Sequence, residues 1–137
     1  MRDFKGWCAG VALALVATAC AATASRLDEQ IAFFHDDLRW GRMPSAEEQV
    51  VPRARVAFIQ HHAGWGTAVQ IVDMENEGTR VQGLTGIVRT RYSWTRGADP
   101  DMRQTVIQSR WRGVPGGTWL MEEERVVAGD PALLALR

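Results

Sequence analysis

Lysine is almost missing from this chain. Of its 16 Lys and Arg residues only Lys5 is a lysine, and 16 Asp and Glu balance them. With a formal net charge of zero there is no basic field to attract nucleic acid and no acidic excess to favour disorder. Cysteine is also scarce: the 2 residues are Cys8 and Cys20, and none follows. A structural disulfide, a zinc knuckle and a catalytic thiol are therefore excluded from everything beyond residue 20. Long apolar runs are lacking too. The run CAGVALALVATA at 8–19 is only about a dozen residues, against the roughly 20 that a membrane span needs. No internal repeat or low-complexity segment is present. The 137 residues suit one domain, and 46% apolar content suits a globular one.

What is there begins with that apolar run. Arg2 and Lys5 precede it against a single Asp3, and small residues close it, which is the pattern of a secretory signal. Ala17-Thr18-Ala19-Cys20 resembles a lipobox, the motif whose cysteine is acylated before cleavage; Ala17 departs from it, standing where leucine is usual. Ala22-Thr23-Ala24 before Ser25 is a competing ordinary A-x-A site. The expected organisation is a signal peptide at 1–19, a lipid-anchored tether at 20–25 with Cys20 as the lipidation site, and one domain at 26–137. The protein is then exported to the cell envelope, on the periplasmic side of a membrane, the outer membrane being the expected one.

Leu27, Ile31, Phe34 and Leu38 recur at helical spacing and form one narrow stripe. They predict a first helix over 26–40, with Ser25 as N-cap, Asp28 completing a capping box and Gly41 as the stop. Ser45 and Glu48 read as a second capping box opening a short helix at 46–51. Pro52 suits the first turn of a third helix running to Ala63 and stopped by Gly64. Residues 67–127 are rich in Val, Ile, Thr and Trp. Asn76-Glu77-Gly78, Gly97-Ala98-Asp99-Pro100 and Pro115-Gly116-Gly117 divide them into strands at 67–75, 81–95, 101–113 and 118–127. Short connections between them predict an antiparallel meander, so the fold class is α+β: two to three N-terminal helices packed on a curved four-stranded sheet.

The run FHDDLRWGRMPSAEEQVVPRARVAFI, followed by strands ending in TVIQSRWRGVPGGTWLMEEERVVAGDPALL, resembles the nuclear transport factor two-like (cystatin-like cone) superfamily. Within it the chain is similar to small bacterial lipoproteins. The likeness covers residues 26–133 and rests on element order and on aromatic positions such as Trp94, Trp111 and Trp119. It implies a bent sheet wrapped around the first helix, leaving a conical cavity. It implies no activity, because that superfamily holds isomerases, dehydratases and hydrolases as well as transport factors and assembly modules.

Strand alternation assigns side chains to that cavity. Leu84, Val88, Thr90, Tyr92 and Trp94 share one face of the second strand, opposite Arg89 and Arg91. Thr105, Ile107, Ser109 and Trp111 share one face of the third, opposite Arg110 and Arg112. The expected lining is Leu84, Val88, Tyr92, Trp94, Ile107 and Trp111, with Gly86 across from Trp111. If chemistry occurs there, the candidates are His62 as a general base, Tyr92 and Asp73, Asp73 pairing with Tyr92. His61 is expected on the far, solvated side of its helix, His35 beside the stripe and Asp37 flanking it. Neighbouring histidines point apart on a helix, so no metal site is expected, and no cofactor is implied. Glu122, Glu123 and Glu124 are expected on both faces of the last strand, some pairing with Arg110 and Arg112. Trp111 and Trp119 flank one hairpin and are expected to pair across it. Phe33 and Trp40 lie off the stripe, either packed under the later helices or on a contact surface. The functional expectation is a non-enzymatic binding or assembly module, with the membrane, an envelope partner protein or a second copy as partner, and no nucleic acid. The alternatives are a binder of a small apolar ligand and an enzyme using the cavity.

Overall fold

The computed structural model describes residues 8–134, with side chains from residue 22 onward. The charged start at Arg2 and Lys5, and residues 135–137 of the expected domain, lie outside the described residues, as does the side chain of Cys20.

Helix α1 spans Cys8–Arg39. It begins far upstream of the expected start because Ala, Leu and Val run into the stripe with no proline, and Ala22 and Ala24 are strong helix formers. Ser25 therefore stands inside the helix and is no cap. The C-terminus is as expected. Gly41, at φ +68°, follows the last turn, with Gly41 N–H donating to Leu38 O at 3.3 Å and Arg42 N–H to Asp37 O at 2.8 Å. These are the two bonds of a Schellman motif. Leu27, Ile31, Phe34 and Leu38 are all buried, so the stripe is the packing face. Among the described residues no helix is long and apolar enough to cross a membrane.

Helix α2, Met43–Glu48, starts earlier than expected because Pro44 supplies its first turn. Ser45 makes no capping box; its Oγ donates to Asp37 Oδ2 at 2.7 Å. The chain then passes the sheet edge, where Val51 N–H donates to Met121 O and Met121 N–H to Gln49 O. A 3-10 turn at Pro52–Ala54 leads into α3, Arg55–His61, which ends before Ala63 because His62 leaves helical geometry at φ −104°, ψ 7°.

Strands β1 (Val69–Gln82), β2 (Thr85–Arg96), β3 (Asp99–Gly113) and β4 (Trp119–Gly129) form a four-stranded antiparallel meander in the order β1-β2-β3-β4. The α+β architecture and the curved sheet match the sequence reading. The first turn does not. Asn76-Glu77-Gly78 is a bulge inside β1, with Gly78 N–H donating to Asn76 Oδ1 at 2.9 Å. The hairpin turns at Gly83-Leu84, where Gly83 at φ +60° holds the first central position of a type II′ turn. Further register shifts at Trp94/Arg96, Val106/Ile107 and Arg110/Trp111 bend the sheet.

The bent sheet closes on α1 over a core of rings. Phe34 meets Trp111 edge-on at 5.2 Å and lies 5.9 Å from Phe58. Buried indole N–H groups find acceptors: Trp94 on Thr105 Oγ1, Trp111 on Ser109 Oγ and Trp65 on the Leu133 carbonyl. The last bond fixes a C-terminal 3-10 turn, Pro131–Leu134, whose Leu133 is buried in the same core. Trp111 stands opposite Met121 and Trp119 opposite Gly113, so the two indoles are not the expected cross-strand pair. Gly86 does face Trp111.

Candidate functional site

Polar groups converge where the end of α3 meets β4. His62 is 3% exposed, and its Nδ1 lies 2.8 Å from the Phe58 carbonyl, one helical turn back. A carbonyl only accepts, so Nδ1 donates the hydrogen of this bond. That Nε2 is buried and has no hydrogen-bond partner among the described residues. The ring is held between Phe58, at 4.2 Å, and Trp65, at 4.3 Å.

Glu124 turns its carboxylate to the same place. Its Oε1 lies 3.4 Å from Nδ1 of both His61 and His62, and its side chain is 6% exposed. The expectation that the two histidines point apart is therefore corrected. His62 is the C-cap residue of α3, and its non-helical backbone brings both rings to one carboxylate. His61 is half-buried, and the Glu124 hydrogen bond holds its pKa above the ordinary histidine value. Burial first, and the Glu124 charge second, push the Tyr92 hydroxyl above the ordinary phenol range, so it stays neutral. The Tyr92 ring packs edge-on against Trp65 at 5.4 Å and His35 at 6.1 Å.

A cleft of about 110 Å³ opens beside this cluster, between Ala54, Ala57 and His61 on one side and Met121 and Glu124 on the other. It is smaller than the roughly 300 Å³ at which ligand pockets begin, so it admits water or a very small ion or molecule. Among the described residues no group of three or more His, Cys, Asp or Glu side chains is placed to hold a metal ion.

The remaining sequence candidates scatter. Asp73 is exposed on β1 and faces Ser93, while Met74 faces Tyr92, so the Asp73–Tyr92 pair is not assembled. Val88, Tyr92, Trp94, Ile107 and Trp111 are buried as members of the ring core. Leu84 is 65% exposed, because it sits in the β1–β2 turn rather than on the inner face of β2. His35 bonds Thr90 Oγ1 at 3.2 Å. Asp37 is occupied structurally, accepting from Arg42 Nε, Ser45 Oγ and Gln49 Nε2 at 2.7–2.9 Å and so tying α1 to α2. Phe33 and Trp40 are 69% and 67% exposed, which removes the alternative that they pack under the later helices. The expected pairing of Arg110 and Arg112 with the glutamates is present: Arg110 reaches Glu123 at 3.0 Å, and both arginines approach Glu122.

Sequence reasoning missed Glu124 as a partner of the histidines. Strict alternation from the buried Met121 turns Glu123 inward. The ladder instead pairs Trp111 with Met121 and Arg110 with Glu123, leaving Glu122 as the extra residue of a bulge. That shift turns Glu124 inward, and no local sequence signal announces it.

No family model and no curated protein matches the chain. Solved structures do. One is the crystal structure of an NTF2-like protein with a cystatin-like fold from Novosphingobium aromaticivorans, with TM-score 0.62, 18% identity, and 96% of this chain and 99% of that one covered. Another is the solution structure of a SEC-C motif containing protein from Rhodopseudomonas palustris, with TM-score 0.59, 17% identity, and coverage of 69% and 73%. At these identities the likeness concerns fold. The chain shares the cystatin-like cone fold of the first of these structures.

Proposed function

We propose that this cone is a non-enzymatic binding or assembly module, exported and held by lipid on Cys20 at the periplasmic side of a membrane, with the outer membrane as its place. The observation that carries the binding reading is the filled interior. Trp94, Trp111 and Trp119 are fully buried side chains where an open cone would hold a ligand, and Leu133 is packed into the same core. Outward-facing groups are left to meet partners. Phe33 and Trp40, seven residues apart, share the exposed side of α1. The export and anchor rest on the charged start, the short apolar run and the cysteine after Ala17-Thr18-Ala19.

The test is metabolic labelling with a fatty acid in the host. The wild-type chain is expected to take the label and Cys20→Ser to lose it. Equal labelling of both, or of neither, overturns the anchor.

One observation favours a second reading, in which a small molecule meets the cone. The buried Nε2 of His62 has no hydrogen-bond partner among the described residues, and Glu124 stands beside the same ring. Native mass spectrometry of the protein from its own host separates the two readings: a retained small molecule supports the second, and a bare or self-associated chain the first.

A further inference from the structure

The face of the sheet turned away from α1 carries a row of arginines, only some of which are paired with carboxylates. Arg91 is engaged by Glu75 and Glu77, and Arg110 by Glu122 and Glu123. Arg80, Arg89 and Arg125 are exposed and make no ion pair among the described residues. Two depressions, of about 360 Å³ and about 200 Å³, lie on this face. Arg80 and Arg89 line the first and Arg110 and Arg125 the second, and both depressions include Ile87 and Gln108. The two therefore adjoin at Ile87 and Gln108 and together make a trough-like row across the strands.

The ladder fixes its dimensions. Gln108 pairs with Arg89 on one side and Arg125 on the other, so these two arginines are two strand spacings apart, about 10 Å. Arg80 stands on β1, across from Ile87, and extends the row to the opposite edge, about 14 Å from the β4 side. The carboxylates of the trough, Glu77 and Glu123, are already held by Arg91 and Arg110, so the unopposed charge is positive. Each guanidinium offers a planar fork of donors suited to a phosphate.

We infer that this trough binds an extended chain of linked phosphate groups, laid across the strands, with Arg80, Arg89 and Arg125 as its contacts. The occupant is a phosphate chain and not a nucleic acid because the trough has no aromatic ring on its lining to stack a base. The inference deepens the reading of the domain as a binder and does not depend on the lipid anchor. The net charge of zero means that binding of a polyanion must come from this local face and not from overall attraction.

The experiment uses the full chain in mild detergent and fluorescently labelled long-chain inorganic polyphosphate, with single-stranded DNA as a second probe. Polyphosphate is expected to bind the wild type. Arg89→Ser with Arg125→Ser should weaken it about tenfold or more. The plot of log affinity against log salt should become shallower by about 1.5. Arg89→Lys with Arg125→Lys should retain part of the affinity, since charge remains but the fork is lost. Arg26→Ser with Arg39→Ser removes the same charge from α1 and should leave affinity within about twofold. Circular dichroism checks that all variants fold, which the exposure of these positions favours. Absence of polyphosphate binding, equal weakening by the α1 variant, or single-stranded DNA binding tighter than polyphosphate each overturns the inference. None of these outcomes bears on the Cys20 labelling, so the two results are independent.

Discussion

His35 shows what burial does to one side chain. It borders the apolar stripe of α1, and its contacts are the Thr90 hydroxyl and the rings of Phe34 and Tyr92. No carboxylate is among them, so burial alone lowers its pKa from 6.5 to about 4. Between those values the unfolded chain binds more protons than the folded one, and stability rises with pH. The contribution is fully present above 6.5 and is lost as pH falls toward 4. His61 works in the opposite sense. Its pKa is raised by Glu124, so its contribution is present below the unfolded value and lost as pH rises through the folded one. Asp99 and Asp130 are held below 3.8 by backbone hydrogen bonds and Arg103, so their effect falls at lower pH. We predict that urea unfolding will show the wild type losing on the order of 2 kcal/mol between pH 6.5 and 4.5 through His35, and that His35→Gln will flatten this segment. An unchanged slope in His35→Gln would mean that the ring is charged in the fold.

At the scale of elements, α1 packs on the sheet with no room to spare where Gly86 faces Leu27. A methyl group at Gly86 would overlap Leu27 Cδ2, and Leu27 is fully buried. Gly86→Ala is therefore expected to destabilise by about 1–3 kcal/mol through overpacking. Leu27→Ala alone should cost about 2–5 kcal/mol through the space it leaves. Because each relieves the other, the double variant should cost less than the sum by more than about 0.5 kcal/mol. Strict additivity in urea titrations would show that the helix does not press on this point. Part of this contact was legible in the sequence: helical spacing gave Leu27, and alternation placed Gly86 opposite Trp111. The meander, the inner faces of β2 and β3 and the stop at Gly41 were legible for the same reason, that each follows from a local period or a positive φ. The bulges were not. Asn76-Glu77-Gly78 has the composition of a turn, yet it kinks a strand that continues to Gln82, and only the longer pairing with β2 decides between them. The extra residue at Glu122 likewise decides that Glu124 meets the histidines, so of the candidate site His62 and Tyr92 were visible beforehand and Glu124 was not.

For the whole molecule, the question is how far the domain stands from the lipid that the proposed anchor enters. In the uncut chain the helix passes without a break through Cys20 to the first core residue, Leu27. If that segment stays helical after cleavage, seven residues rise about 10 Å. If it frays to full extension, they reach at most about 25 Å. Both limits hold the start of α1 close to the surface, and a chain with more than one acyl group remains there stably. On that proposal, partners are expected in or beside the membrane, because the 20–25 tether is too short to search far from it. The outer side of α1, with Phe33 and Trp40, would be reachable by small partners and shielded from large soluble ones. We predict that about 20 flexible residues inserted after Ala24, adding an r.m.s. reach of about 25 Å, leave folding unchanged and raise antibody access to the Phe33–Trp40 side in intact envelopes. Folding is checked by the unfolding midpoint and access by quantitative antibody binding to opened cells, with detergent-released protein as the full-access reference. If the native tether already gives full access, the domain is not held at the surface. Cleavage at the Ala24–Ser25 site, which frees it, then becomes the reading to adopt.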